Sequence, residues 1–154
     1  MADKKSLIPS IGRLTEIHTT AQNPLGIRTQ DAQGNEYVYL QGIGSTIVGS
    51  WVVYTSATYI TTLTVANSKG KVAVAQAAVL ASQFGWYQIY GLATGSVATG
   101  AAGGKVWVTA TPGRVDNTDV AVDLVVGALQ VGATASNLAT FELNYPMCLN
   151  EVYN

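Results

Sequence analysis

Residues 138–145 alternate apolar and polar side chains without a break. Ala139, Phe141, Leu143 and Tyr145 fall on one side; Thr140, Glu142 and Asn144 fall on the other. A period of two predicts a strand with one buried face, and Pro146, which cannot donate a ladder hydrogen bond, is expected to end it. Residues 84–91 follow a different pattern. Phe84, Trp86, Gln88 and Tyr90 share one face, Gly85, Tyr87, Ile89 and Gly91 the other, and neither face is polar. Flat and branched side chains suit a pleated surface, so this stretch predicts a strand covered on both sides. Residues 92–98 are expected to return from it, with the corner near Gly91.

The rest of the chain supplies shorter strands. Residues 37–41 predict one, with 25–30 as its hairpin partner across the turn Asp31-Ala32-Gln33-Gly34-Asn35. There the aspartate can accept from its own backbone two residues on, and glycine takes the positive φ. Residues 46–55 predict a long strand with Ile47, Trp51 and Val53 on one face and Val48, Val52 and Tyr54 on the other; residues 59–66 predict the next. Residues 67–71 form a turn. Residues 72–75 alternate like a strand, while the alanine-rich 76–82 fits a helical turn or two. Residues 105–110 predict a strand with Trp107 facing opposite to Val106 and Val108. Thr111-Pro112-Gly113 turns, and an apolar run over 120–131 is closed by Gly132. Eight or nine strands at short spacing predict an all-β fold, a single-domain sandwich or jelly-roll-like barrel. The domain spans 26–154 and follows an extended N-terminal arm over 1–25. In that arm Leu7, Ile8, Ile11, Leu14 and Ile17 are apolar, and Pro9, Gly12 and Pro24 interrupt any helix. It is either a floppy terminus or an arm that orders on a neighbour. Its density of aliphatic residues favours the arm, which can add a strand to a partner's sheet edge.

Composition changes the picture in one respect. Charged residues make up only 11% of the chain, where about 25% is usual. With a net charge of −1, electrostatic solubility is weak, which favours a chain that ends in an assembly. The eight basic residues are scattered, so no groove neutralises phosphates and no nucleic-acid partner is expected. No stretch has the roughly 18 consecutive apolar residues of a membrane span, and the lysines near the start are not followed by the apolar core of a secretion signal.

Candidate chemistry is sparse. His18, the single histidine, has only Glu16 near it and is expected to be a surface residue. Cys148, the single cysteine, has no basic neighbour or helix start to activate it and is expected to be a packed side chain. Asp116, Asp119 and Asp123 are the one carboxylate cluster, but they lack the glycine and terminal glutamate of an EF-hand. A polar loop in which aspartates terminate strands is the better reading; whether the three bind a cation stays open. Residues 95–106 approach a phosphate-binding loop, but Thr99 stands where glycine is required and Val106 where serine or threonine is. A hairpin loop is expected instead. Trp51, Trp86 and Trp107 suit a sugar site, but on strands they are expected in a core or interface. No catalytic group, metal or cofactor site can be drawn, and an enzyme is not expected.

Three segments carry a resemblance: residues 26–40 (GIRTQDAQGNEYVYL), 84–91 (FGWYQIYG) and 141–146 (FELNYP). The chain from about Pro24 to Met147 resembles the capsid decoration, or cement, proteins of tailed bacteriophages. The resemblance implies a β-rich protein that sits on the outer capsid surface of the virion after synthesis in the bacterial host cytoplasm. It further implies a homotrimer at local threefold positions, partnered with the major capsid protein and stabilising the shell. On this reading Leu7, Ile8, Ile11, Arg13 and Leu14 contact the capsid, and Trp86, Tyr87 and Tyr90 form trimer or core contacts. The alternative is a β-sandwich module of a phage tail or fibre that binds a carbohydrate or a receptor.

Overall fold

The computed structural model describes residues 12–151. The chain is all-β, as its patterning predicts. Among the described residues ten strands form, one or two more than the pattern suggests. In chain order they are β1 (Arg28–Gln30), β2 (Glu36–Gln41), β3 (Trp51–Tyr54), β4 (Thr61–Leu63), β5 (Gly70–Ala75), β6 (Phe84–Ser96), β7 (Lys105–Val108), β8 (Val115–Asp116), β9 (Leu124–Gln130) and β10 (Leu138–Cys148). They pair in the order β1-β2-β6-β5-β10-β9-β7-β8, with β3 and β4 attached through β5 and a direct β6–β10 pairing. The outer members β1, β4 and β8 have only three, three and two residues. Short edges of this kind offer little template for another chain's backbone.

Two long strands organise the molecule. β6 pairs with β2 from Phe84 to Tyr90 and with β10 from Tyr90 to Ser96. The predicted corner at Gly91 is therefore a bend within one strand of 13 residues. Gly91 takes φ 85°, and the space a Cβ would fill holds the Asn35 side chain. Asn35 Oδ1 accepts the Leu92 N–H at 3.1 Å, tying the bend to the β1–β2 turn. The backbone thus changes direction without breaking its ladder.

β10 also runs further than predicted. It pairs with β6 over Leu138–Asn144, then with β5 at Met147 and Cys148. Between the two, Tyr145 has φ 47° and, on the neighbouring strand, Gly127 has φ 81°. This irregularity shifts the β9–β10 register between Leu143 and Met147. It lets Pro146 sit inside a strand rather than end it, because a bulge leaves its missing N–H without consequence. It also reverses the alternation: Ala139, Phe141 and Leu143 are buried, Tyr145 turns outward, and Cys148 is buried again.

Other differences have equally local causes. Residues 46–50 turn rather than extend: Gly49 is at φ 84°, Thr46 Oγ1 donates to Ile43 O at 2.7 Å, and Ser50 Oγ accepts from Ile47 N at 3.0 Å. Ile47 and Val48 are consequently exposed. Of 59–66 only Thr61–Leu63 is strand. Residues 76–82 form no helix; Ala77 and Val79 are buried in the core instead, and a helix this short gains too little from alanine propensity to compete. Residues 97–104 are not a hairpin loop, because β6 and β7 are not partners. They cross between strands, fixed where Asn117 Nδ2 donates to Lys105 O at 2.6 Å and Thr134 Oγ1 to Gly100 O at 2.9 Å. The main core packs Trp51 edge-on to Phe141, ring centroids 4.9 Å apart at 89°, and the Trp51 indole N–H donates to Ser96 O at 3.1 Å.

Candidate interaction surface

The predicted turn forms as its residues dictate. Asp31 Oδ1 accepts N–H groups from Gln33 and Asn35 at 2.9 and 3.0 Å, and Oδ2 accepts Asn35 Nδ2 at 2.7 Å and the Tyr37 hydroxyl at 2.8 Å. Burial pulls the Asp31 pKa up, but these bonds to Asn35, Tyr37 and Gln33 outweigh it and hold the carboxyl below its ordinary value. The turn sets the β1–β2 register, and the β2–β6 register places Tyr39 opposite Trp86. Their rings sit 5.1 Å apart at 56°. Tyr37, Tyr39 and Trp86 form a buried aromatic cluster covered by Leu14, Leu25, Ile27 and Phe84.

This cover corrects one expectation and refines another. His18 is part-buried rather than a plain surface residue. It bridges to Phe84 in both directions, with His18 N to Phe84 O at 2.9 Å and the reverse bond at 2.8 Å. Its Nδ1 lies 2.7 Å from the Tyr39 hydroxyl. Leu14 packs on the chain's own aromatic cluster, while Arg13 is exposed. Leu7, Ile8 and Ile11 lie outside the described residues.

The aromatic strand divides its side chains. Trp86 is buried in this cluster and Tyr87 in the neighbouring core, its hydroxyl pushed up to a pKa of about 12 by burial. Tyr90 is 40% exposed. It opens a stripe that pairing, not sequence, assembles. Leu92 on β6, Glu142 on β10 and Leu129 on β9 stand opposite one another in register. Partners in antiparallel strands share a face, so Leu92, 59% exposed, and the exposed Leu129 flank a single carboxylate. Tyr90 packs on Tyr145 at 5.3 Å, and beyond the bulge the paired Val126 and Met147 add two more exposed apolar side chains. Tyr145 is held in turn: its hydroxyl donates to Glu36 Oε2 at 2.7 Å, and the Arg28 guanidinium lies 5.5 Å from its ring centre. The hydrogen bond to Glu36 raises the Tyr145 pKa.

No family model, curated protein or solved structure matches this chain.

Sequence-derived candidates for chemistry are placed apart. Cys148 is buried, and burial pushes its thiol up to about 12. Asp116 ends β8, Asp119 lies in an exposed loop, and Asp123 is buried before β9, accepting Asn67 N at 2.6 Å. Among the described residues no three His, Cys, Asp or Glu side chains gather to hold a metal ion. Trp51 and Trp86 are fully buried, as expected of strand tryptophans, but Trp107 is only part-buried. The apolar stripe itself was hidden in the sequence. Leu92 and Leu129 are 37 positions apart, and only the register of β6, β10 and β9 brings them level.

Proposed function

We propose that this chain is a capsid decoration, or cement, protein of a tailed bacteriophage. It binds the outer surface of the head beside the major capsid protein, as a trimer near threefold axes, and stabilises the shell. It is not an enzyme. The observation that carries this reading is the exposed apolar stripe of Tyr90, Leu92, Leu129 and Tyr145 on paired strands. Contiguous apolar surface on a rigid sheet face is a feature of interaction sites. The short outer strands favour association through that face rather than through strand addition. The sequence resemblance of residues 26–40, 84–91 and 141–146 suggests the partner. A protein that binds the assembled shell and not its free subunits stabilises the shell by mass action, and small contact energies add over many copies in one lattice.

The test is co-sedimentation of the purified protein with expanded heads that lack it, followed by heating. Saturable binding at one trimer per threefold site, with heads surviving to higher temperature, is expected. Leu92→Glu should stay folded, because its side chain is exposed, yet lose self-association and head binding. Deletion of residues 1–11 should weaken head binding while sparing the trimer. A folded protein that neither sediments with heads nor self-associates overturns the proposal and favours the tail or fibre module.

A further inference from the structure

Trp107 does not behave like the other two tryptophans. It stands in the centre of β7, paired with Leu124 of β9 on one side and Asp116 of β8 on the other, so the backbone beneath it is fixed. Val106 and Val108 point into the core, which turns Trp107 and Lys105 outward together. There they form the floor of a cleft of about 300 Å³ whose walls include Asp119, Val120, Val122 and Glu151. The loop that makes one wall is held firmly. Asp123 N donates to Val120 O at 3.1 Å, and the buried Asp123 carboxylate anchors the loop to Asn67. Val122 is at φ 70°, a conformation a β-branched residue adopts only when its surroundings enforce it.

We infer that this cleft binds a single sugar ring of a glycan. Its size lies at the small end of ligand pockets. One face of a pyranose is lined with C–H groups and can lie flat on an indole, burying apolar surface, while the hydroxyls at its rim need hydrogen-bond partners. Carboxylates only accept and an ammonium only donates. Asp119, Glu151 and Lys105 therefore supply both kinds of partner around one aromatic floor. Among the described residues none of these three side chains makes a hydrogen bond or ion pair that would compete. Two carboxylates against one ammonium disfavour an anionic ligand, and three charged groups disfavour a purely apolar one. The inference does not depend on the capsid reading: the cleft is built from β7, the loop before β9 and Glu151, and shares no lining residue with the stripe, which it borders where Lys105 stands opposite Leu129.

The test follows the three indole N–H signals by NMR while the full chain is titrated with the methyl glycosides of glucose, galactose, mannose and N-acetylglucosamine. At least one of them should move the Trp107 signal saturably, with a dissociation constant on the order of 1 mM, and leave the buried Trp51 and Trp86 signals in place. Trp107→Ala should abolish the response. Asp119→Asn, which keeps the fold and removes the charge-assisted acceptor, should weaken binding about tenfold. No movement of the Trp107 signal with any of the four sugars, or binding retained in Trp107→Ala, overturns the inference.

Discussion

Replacing Gly91 with alanine tests whether the bend in β6 depends on the β1–β2 turn. Two costs arise. Gly91 sits at φ 85°, where an L-residue costs about 1–2 kcal/mol. The new Cβ would also fall on the Asn35 side chain, 2.9 Å from its Cγ and 3.2 Å from its Cα. Asn35 must swing away and leave the Leu92 N–H unpaired, which costs about 1 kcal/mol. The sum is about 2–3 kcal/mol, or a drop in Tm of roughly 5–10 °C for a domain of this size. Urea unfolding measures it as a fall in midpoint at unchanged slope. A double-mutant cycle isolates the cause. Asn35→Ala alone should cost about 1–2 kcal/mol through its lost bonds to Leu92 and Asp31. The double variant should fall short of the summed losses by about 1 kcal/mol, because the truncated side chain leaves room for the new methyl group. A Gly91→Ala cost below about 0.5 kcal/mol, or strict additivity, would refute the coupling between bend and turn.

Three further outcomes follow. Trp86→Ala should cost about 3–5 kcal/mol in urea unfolding, because it empties the centre of a covered cluster, whereas Tyr90→Ala should change monomer stability by less than about 1 kcal/mol. Asp31 has a folded-state pKa below its unfolded value, so its stabilisation is present above the unfolded pKa and lost as pH falls through the folded one. The stability gap between wild type and Asp31→Asn should therefore be constant above about pH 5 and close progressively below about pH 4; a gap that persists in acid would contradict this. Cys148, buried with its thiol pushed up to about 12, should react with a thiol reagent only as fast as the protein opens, so that labelling at neutral pH accelerates in step with added denaturant.

The sequence was most informative where structure is decided by neighbours a few residues away. The Asp31–Asn35 turn, the β1–β2 hairpin, the facing of Trp107 opposite to Val106 and Val108 and the buried set Ala139, Phe141 and Leu143 all depend on local chemistry and a period of two. It misled where distant strands decide. Gly91 and Pro146 are strong punctuation marks, yet both lie inside long strands: at Gly91 β6 passes from β2 to β10 as its partner, and at Pro146 a bulge joins two paired segments of β10. In the alanine-rich segment 76–82, Ala77 and Val79 are buried in the core while Leu80 is exposed. His18 carries no local sign that it lies beside Tyr39, 21 positions away. The sugar-sized cleft shows the same limit: nothing near Trp107 in sequence announces Glu151 as a wall.

The place of β10 in the sheet bears on how the protein comes into being. It is the last of the ten strands in chain order, yet it lies between β6, β5 and β9. Until it has been synthesised, the inner edges of β6 and β9 are bare. A nascent chain can close its early hairpin on the ribosome, but the sheet cannot knit together until residues 138–148 are free of the exit tunnel. Non-local closure of this kind is slow and leaves unpaired strands in solution for longer than local folding would. Folding is thus gated by the emergence of residues 138–148, and chaperone demand should fall on the interval before they are available to pair.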